Sequence, residues 1–259
     1  MIHLIRKNEN NVSFYNRRML SFIELSFHFA YLVLSGSTAL TAFEVFNDYP
    51  DKYIALKYIL SIETTVNIIA SFAYSSLIKL IKTPNHSGIT NYRYLDWFVT
   101  TPLLLISFTL YLQYLKNIND DSNGDSNKKT NTDKSAVKFD FDKLVIIILL
   151  NLIMLVFGFL GESNMINRYS GCVLGFIPFI AIFYYIWKWY GDSIKNKKIF
   201  QIFVSIWAIY GIVYLFPNKP KNISYNILDV IAKVGFGLLI WFEVVQLRLT
   251  SPDFKKLSS

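Results

Sequence analysis

Near the C-terminus an acid and an amine sit four residues apart inside an apolar stretch. They are Asp229 and Lys233 in Asp229-Val230-Ile231-Ala232-Lys233-Val234-Gly235-Phe236-Gly237. On a helix this spacing puts both on one face, one turn apart. The apolar run around them, from about Ile223 to Leu247, is long enough to cross a bilayer, which takes ~20 helical residues. Charges in such a run are costly and ask for a reason. One reason is a structural ion pair facing the interior of a bundle. The other is chemical: a lysine amine in an apolar pocket can condense with an aldehyde to form a Schiff base. Asp229 would then balance the charge of the protonated imine.

A second constellation lies in Arg93-Tyr94-Leu95-Asp96-Trp97-Phe98-Val99-Thr100-Thr101-Pro102-Leu103-Leu104-Leu105. Arg93, Asp96 and Thr100 fall at i, i+3 and i+7, again one helix face. Thr100 is placed to donate its hydroxyl to Asp96, and Pro102 removes a backbone donor and tends to kink the helix. A helix end with a snorkelling arginine and an incidental acid is the plainer reading. Two rare intramembrane acids, an arginine and a lysine argue instead for mutual partners.

The elements that must carry these residues are membrane helices. The chain has 259 residues, 53% of them hydrophobic, and the apolar residues come in long blocks. This pattern points to one helical membrane domain rather than a soluble one. Seven spans are expected, at about 19–46, 53–81, 92–115, 144–161, 169–190, 199–216 and 223–247. They make an all-α membrane bundle over residues 19–250, with a polar tail at 1–18, a polar loop at 116–143 and a tail at 251–259. One cysteine, Cys172, excludes an internal disulfide, and three dispersed histidines make a metal site unexpected. No enzymatic activity is expected. The net charge of +8 is spread over loops and tails, so the expected partner is the lipid bilayer and not nucleic acid. An N-terminus outside leaves 15 Lys and Arg on the inner side and nine on the outer, in the sense of the positive-inside rule. Asn-x-Ser sequons begin at Asn11, Asn85 and Asn222, all on the outer side in this topology.

The two motifs together resemble the microbial rhodopsins, seven-helix proteins that carry retinal on a lysine of the last helix. The resemblance covers the whole seven-span plan. It implies all-trans retinal as cofactor on Lys233, with Asp96 as counterion and primary proton acceptor and Asp229 as second counterion. Arg93, Thr100, Tyr74 and Tyr210 would support the counterions, with Tyr74 approaching Asp96 and Tyr210 bonding near Asp229. The retinal pocket would take Trp97 and Thr101 from the third span, Met154 and Gly158 from the fourth, and Gly175 and Phe179 from the fifth. Trp207, Tyr210 and Tyr214 of the sixth would complete it, and Asn151 and Gly161 match ring-pocket spacing. Gly211 and Tyr214 depart from the family's commonest proline and tryptophan.

The same resemblance frames the transport question. The acceptor, second-threonine and donor positions read Asp96, Thr100 and Ser107, so the carboxylate donor of an outward proton pump is missing. Between Tyr214 and Asp229 there is also no acid to release a proton. The second span instead carries Glu63, Asn67, Ser71 and Ser75 every four residues, and the first carries Glu24 and His28. Such stripes line ion or water pathways, or they hold helices together by hydrogen bonds. Glu63 is expected near Ser107. The pattern is similar to the rhodopsins of large DNA viruses, some of which are cation channels. The expectation is a light-gated cation channel whose pathway uses Glu63, Asn67, Glu24 and Ser107. The alternatives are an outward proton pump and a photosensor without transport. Monovalent or divalent cations or protons, a homo-oligomer and the plasma membrane of a eukaryotic host cell complete the picture.

Overall fold

The computed structural model describes the backbone of residues 2–83, 88–122, 140–191 and 194–257. All regular elements among them are helical. In chain order they are α1 (Ile2–Val45), a 3-10 turn (Asp51–Tyr53), α2 (Ile54–Ile81), α3 (Ile89–Ser122), α4 (Phe141–Glu162), α5 (Arg168–Tyr190) and α6 (Ile194–Tyr214). Then come α7 (Asn218–Asp229), a π-helical turn (Val230–Val234), α8 (Gly235–Thr250) and α9 (Pro252–Leu257). Six of these helices are long and apolar enough to span a membrane. The seventh span is α7, the π turn and α8 in direct succession. Neither α7 nor α8 is long enough alone, because the π turn at Lys233 divides the rod. A single π turn inside an α-helix widens the backbone and is frequent at functional sites.

Burial is arranged for lipid. Leu32, Phe72, Leu95, Val173, Ile177 and Phe242 are exposed, while Glu63, Asn67, Asp96, Thr100, Ser107, Asn151, Asp229 and Lys233 are buried. Inside hydrocarbon the helix satisfies its own backbone, and polar side chains must turn toward the bundle.

Several boundaries differ from the sequence expectation, and three are instructive. The backbone of α1 begins at Ile2, so helix covers the expected polar tail. Its Arg, Lys and Glu residues are good helix formers, and polarity alone does not end a helix. For the same reason α3 runs on to Ser122, into the expected polar loop, whose residues 123–139 lie outside the described residues. The tail after Thr250 forms α9 and packs back: Phe254 is 4% exposed and stacks on Tyr53 with ring centroids 5.5 Å apart.

Candidate functional site

Lys233 sits at the π turn with its side chain 1% exposed. Its Nζ lies 2.5 Å from Asp96 Oδ2 and 3.9 Å from Asp229 Oδ2. The two constellations therefore meet, and the amine stands between two carboxylates from different helices. Asp229 is the better supported acid. It accepts from Tyr74 Oη at 2.8 Å, Tyr210 Oη at 2.9 Å and Trp97 Nε1 at 3.2 Å. Arg93 Nη1 is 3.5 Å from its Oδ2. Asp96 has the lysine on Oδ2 and no hydrogen-bond partner on Oδ1 among the described residues.

Two expected contacts are corrected here. Tyr74 reaches Asp229 rather than Asp96, because α2 faces the last span at this level. Thr100 donates to the backbone carbonyl of Asp96 at 2.8 Å, not to its carboxylate. A threonine inside a helix commonly bonds to the carbonyl one turn back, and Thr101 does the same to Trp97.

Beside Lys233 a cavity with about 820 Å³ of space between atoms runs into the bundle. Its wall includes Trp97 and Thr101 of α3, Met154 and Gly158 of α4, and Gly175 and Phe179 of α5. Trp207, Tyr210 and Tyr214 of α6 also line it, so the nine residues named for the pocket form its wall, whereas Asn151 and Gly161, matched by spacing, do not. Asn151 holds the wall by donating to Thr101 Oγ1 at 2.8 Å. The mostly apolar lining suits an apolar ligand. The small residues shape it: a Cβ on Gly158 would come within 2.7 Å of the Tyr94 hydroxyl, and one on Gly211 would overlap the Phe176 ring. Gly161 instead abuts the Tyr214 hydroxyl. A mostly apolar cavity whose wall includes an amine flanked by acids fits an apolar aldehyde. Trp207 Nε1 is buried with no hydrogen-bond partner among the described residues.

On the Arg93 side the sequence reading missed Asn226. It accepts from Arg93 Nη2 at 2.8 Å, lies 3.2 Å from the Tyr74 hydroxyl and donates to Ser26 Oγ at 2.9 Å. The signal was present: Asn222, Asn226 and Asp229 share a helix face. Asn222 itself accepts from Arg93 at 3.3 Å through Oδ1, while its Nδ2 donates to the Asn218 carbonyl at 2.9 Å. Asn85 and the side chain of Asn11 lie outside the described residues. Glu162 was also missed. It pairs with Lys221 at 2.5 Å and Arg168 at 3.5 Å. An acid at this end of the bundle thus comes from the end of α4, where a search between Tyr214 and Asp229 could not find it.

On the opposite side of Lys233 the Ser107 hydroxyl bonds to Glu63 Oε1, which brings the two together as expected. Asn67 donates to Ser37 Oγ at 3.4 Å, and the open face of Gly237 lies against both Glu63 and Asn67. Glu24 does not join them. It is half exposed at the Arg93 end of α1, 3.7 Å from Lys82, because it lies three turns before Ser37 on the same helix. His28 bonds to the Glu24 carbonyl.

A seven-span bundle whose last helix carries a buried lysine between two acids defines a class of membrane photoreceptor folds. A profile of the bacteriorhodopsin-like proteins matches residues 22–247, and the chain belongs to that family, the microbial rhodopsins. The crystal structure of viral rhodopsin OLPVRII is similar, with a TM-score of 0.73 and 28% identity over 87% of this chain and 98% of that one. The green-light absorbing proteorhodopsin of Gamma-proteobacterium EBAC31A08 is 27% identical over 175 residues, 61% of this chain and 62% of that protein. Sensory rhodopsin-2 of Natronomonas pharaonis is 24% identical over 174 residues, 60% of this chain and 62% of that protein. The chain thus spans about 62% of the length of these curated relatives.

Proposed function

We propose that this protein is a retinal photoreceptor that conducts cations when illuminated, in a bilayer that the viral likeness suggests is a host cell's. Lys233 Nζ in the wall of the mostly apolar cavity, 2.5 Å from Asp96, carries the light-receiving part of this reading. Retinal bound there in its all-trans form would supply visible absorption and a light-driven change of shape. The protein's own groups do the rest. Asp96 and Asp229 balance the positive charge at the Lys233 nitrogen, and Arg93 offsets their surplus negative charge. Asp96, with one oxygen unpartnered, is the acceptor for the proton on that nitrogen. Asp229 is held by three donors and Arg93 and stays a fixed charge.

Conduction rests on the cluster of Glu63, Asn67, Ser37 and Ser107 where α1, α2, α3 and α8 meet. Glu63 Oε2 and Asn67 Oδ1 are buried there without protein partners among the described residues. Oxygens of this kind can replace part of a cation's hydration shell. A proton pump is the second reading. It is favoured by the Glu63–Ser107 bond, which brings an acid to the position where a pump would keep its donor.

Voltage-clamp recording in retinal-supplied cells decides. Photocurrents that reverse with the cation gradient support the channel. Currents that stay outward at every voltage support the pump, and absence of current supports a sensor. Lys233→Ala should leave the purified protein colourless, and a coloured Lys233→Ala protein would remove the retinal reading altogether.

A further inference from the structure

Glu63 is not the last acid on its side of the lysine. Tyr111 lies four residues beyond Ser107 on α3, is 1% exposed, and donates to Glu243 Oε2 at 2.5 Å. α3 therefore presents two hydroxyl-bearing residues about one helical turn apart, a rise of about 6 Å along its axis. Each is bound to an acid from a different helix: Ser107 to Glu63 of α2, and Tyr111 to Glu243 of α8. Nothing in the light-receiving chemistry uses Glu243, and it is far along α8 from Lys233. A carboxylate on a membrane span without a task is costly. Beyond it, Tyr111, Tyr114, Tyr53 and Phe254 belong to one buried aromatic cluster. Tyr111 and Tyr114 stack with centroids 6.3 Å apart, and the Tyr53 hydroxyl lies 3.4 Å from Ser251 Oγ. The acid thus sits between the Glu63 cluster and the aromatic closure at the end of the bundle.

We propose that Glu243, positioned by Tyr111, is the second acidic station of the cation pathway that begins at Glu63. This rests on the conducting reading given above. A monovalent cation moving between α2, α3 and α8 meets the Glu63 oxygens and, one turn later, those of Glu243. Tyr111 holds the second carboxylate toward the path, so it is a positioning residue.

The test is voltage-clamp recording of wild type, Glu243→Gln and Tyr111→Phe with sodium outside and N-methylglucamine inside. Absorption spectra serve as the check on folding. The absorption maximum should not move in either variant. Glu243→Gln should lower the photocurrent per coloured protein by about threefold or more, because the amide still accepts from Tyr111 but offers a cation no negative charge. It should also shift the reversal potential toward lower sodium preference. Tyr111→Phe should change both in the same direction and by less. Wild-type amplitude and reversal potential in Glu243→Gln would overturn the assignment while leaving the conducting reading intact. A wild type without photocurrent would instead sink the conducting reading, and the station with it. If Glu243→Gln fails to accumulate, Tyr111→Phe decides alone, since it keeps the ring packing and removes one hydroxyl.

Discussion

Toward Arg93, Asp229 has four partners from three other helices, and Asn226 links Arg93 to Ser26 of α1. Toward Glu243, Glu63 has one hydroxyl, and Glu63 Oε2 and Asn67 Oδ1 have no hydrogen-bond partner among the described residues. The first arrangement fixes charge. A fully bonded carboxylate cannot change partners without breaking several contacts at once, so it keeps the field around Lys233 constant. The second leaves oxygens available for a visiting ion, and its rigidity comes from rings rather than hydrogen bonds. Phe108 and Phe203 stack at 3.9 Å, and Phe203, Trp207 and Phe236 continue the same packing. One half of the bundle thus holds its buried acid with many partners, and the other leaves buried oxygens that the proposed conduction would use.

The largest effect should come from breaking the bonded half. Asp229→Asn removes the charge that pairs with Arg93, which is 3% exposed, and leaves a buried guanidinium under-compensated. The expected loss is about 4 kcal/mol, read as earlier thermal bleaching. Neutralising this acid should also move absorption to longer wavelength. Excitation of a protonated polyene draws positive charge away from its nitrogen, and a nearby anion opposes that shift. A variant as stable as wild type with unchanged colour would mean that the network around Asp229 is not what holds the charge.

A smaller effect is expected where rings do the holding. Phe254 touches Tyr49, Tyr53 and Arg248, with the guanidinium 4.9 Å from its ring, and Arg248 pairs with Glu44 at 2.5 Å. Phe254→Ala should cost about 3 kcal/mol in thermal stability. Its colour should stay put, because the ring is remote from the cavity. A colour change would show that the two halves are coupled through packing and would blur the contrast between them.

Spacing made the site legible and long-range partnership stayed hidden. Asp229 and Lys233 announce themselves as two charges one turn apart in an apolar run, and Arg93, Asp96 and Trp97 as a motif. The pocket followed from matching whole helices, and all nine of its expected residues line the cavity. What the sequence could not show was which helix supplies a partner. Tyr74 turns to Asp229 instead of Asp96, and Glu162 reaches Lys221 from 59 positions away. Glu243 and Tyr111 are separated by 132 positions. Glu24 misled for the opposite reason. Its four-residue spacing to His28 looked like a pathway, yet its place along α1 puts it at the Arg93 end against Lys82. Spacing reports a shared face but not the depth at which that face meets its neighbours.

The smallest change in stability, with a large change in function, is expected at Glu63. Glu63→Gln keeps the side-chain volume, and the amide can still accept the Ser107 hydroxyl, so stability should change by less than about 1 kcal/mol. Colour should also hold, since neither Asp96 nor Asp229 is touched. Photocurrent should nonetheless fall, or its reversal potential should shift, because a carboxylate oxygen offers a cation more than an amide does. The contrast with Asp229→Asn is the point of the pair: one substitution should alter colour and stability, the other only what crosses the membrane. Should Glu63→Gln bleach as early as Asp229→Asn, Glu63 holds the bundle together rather than lining a path. Unchanged currents and unchanged stability together would leave Glu63 outside both roles.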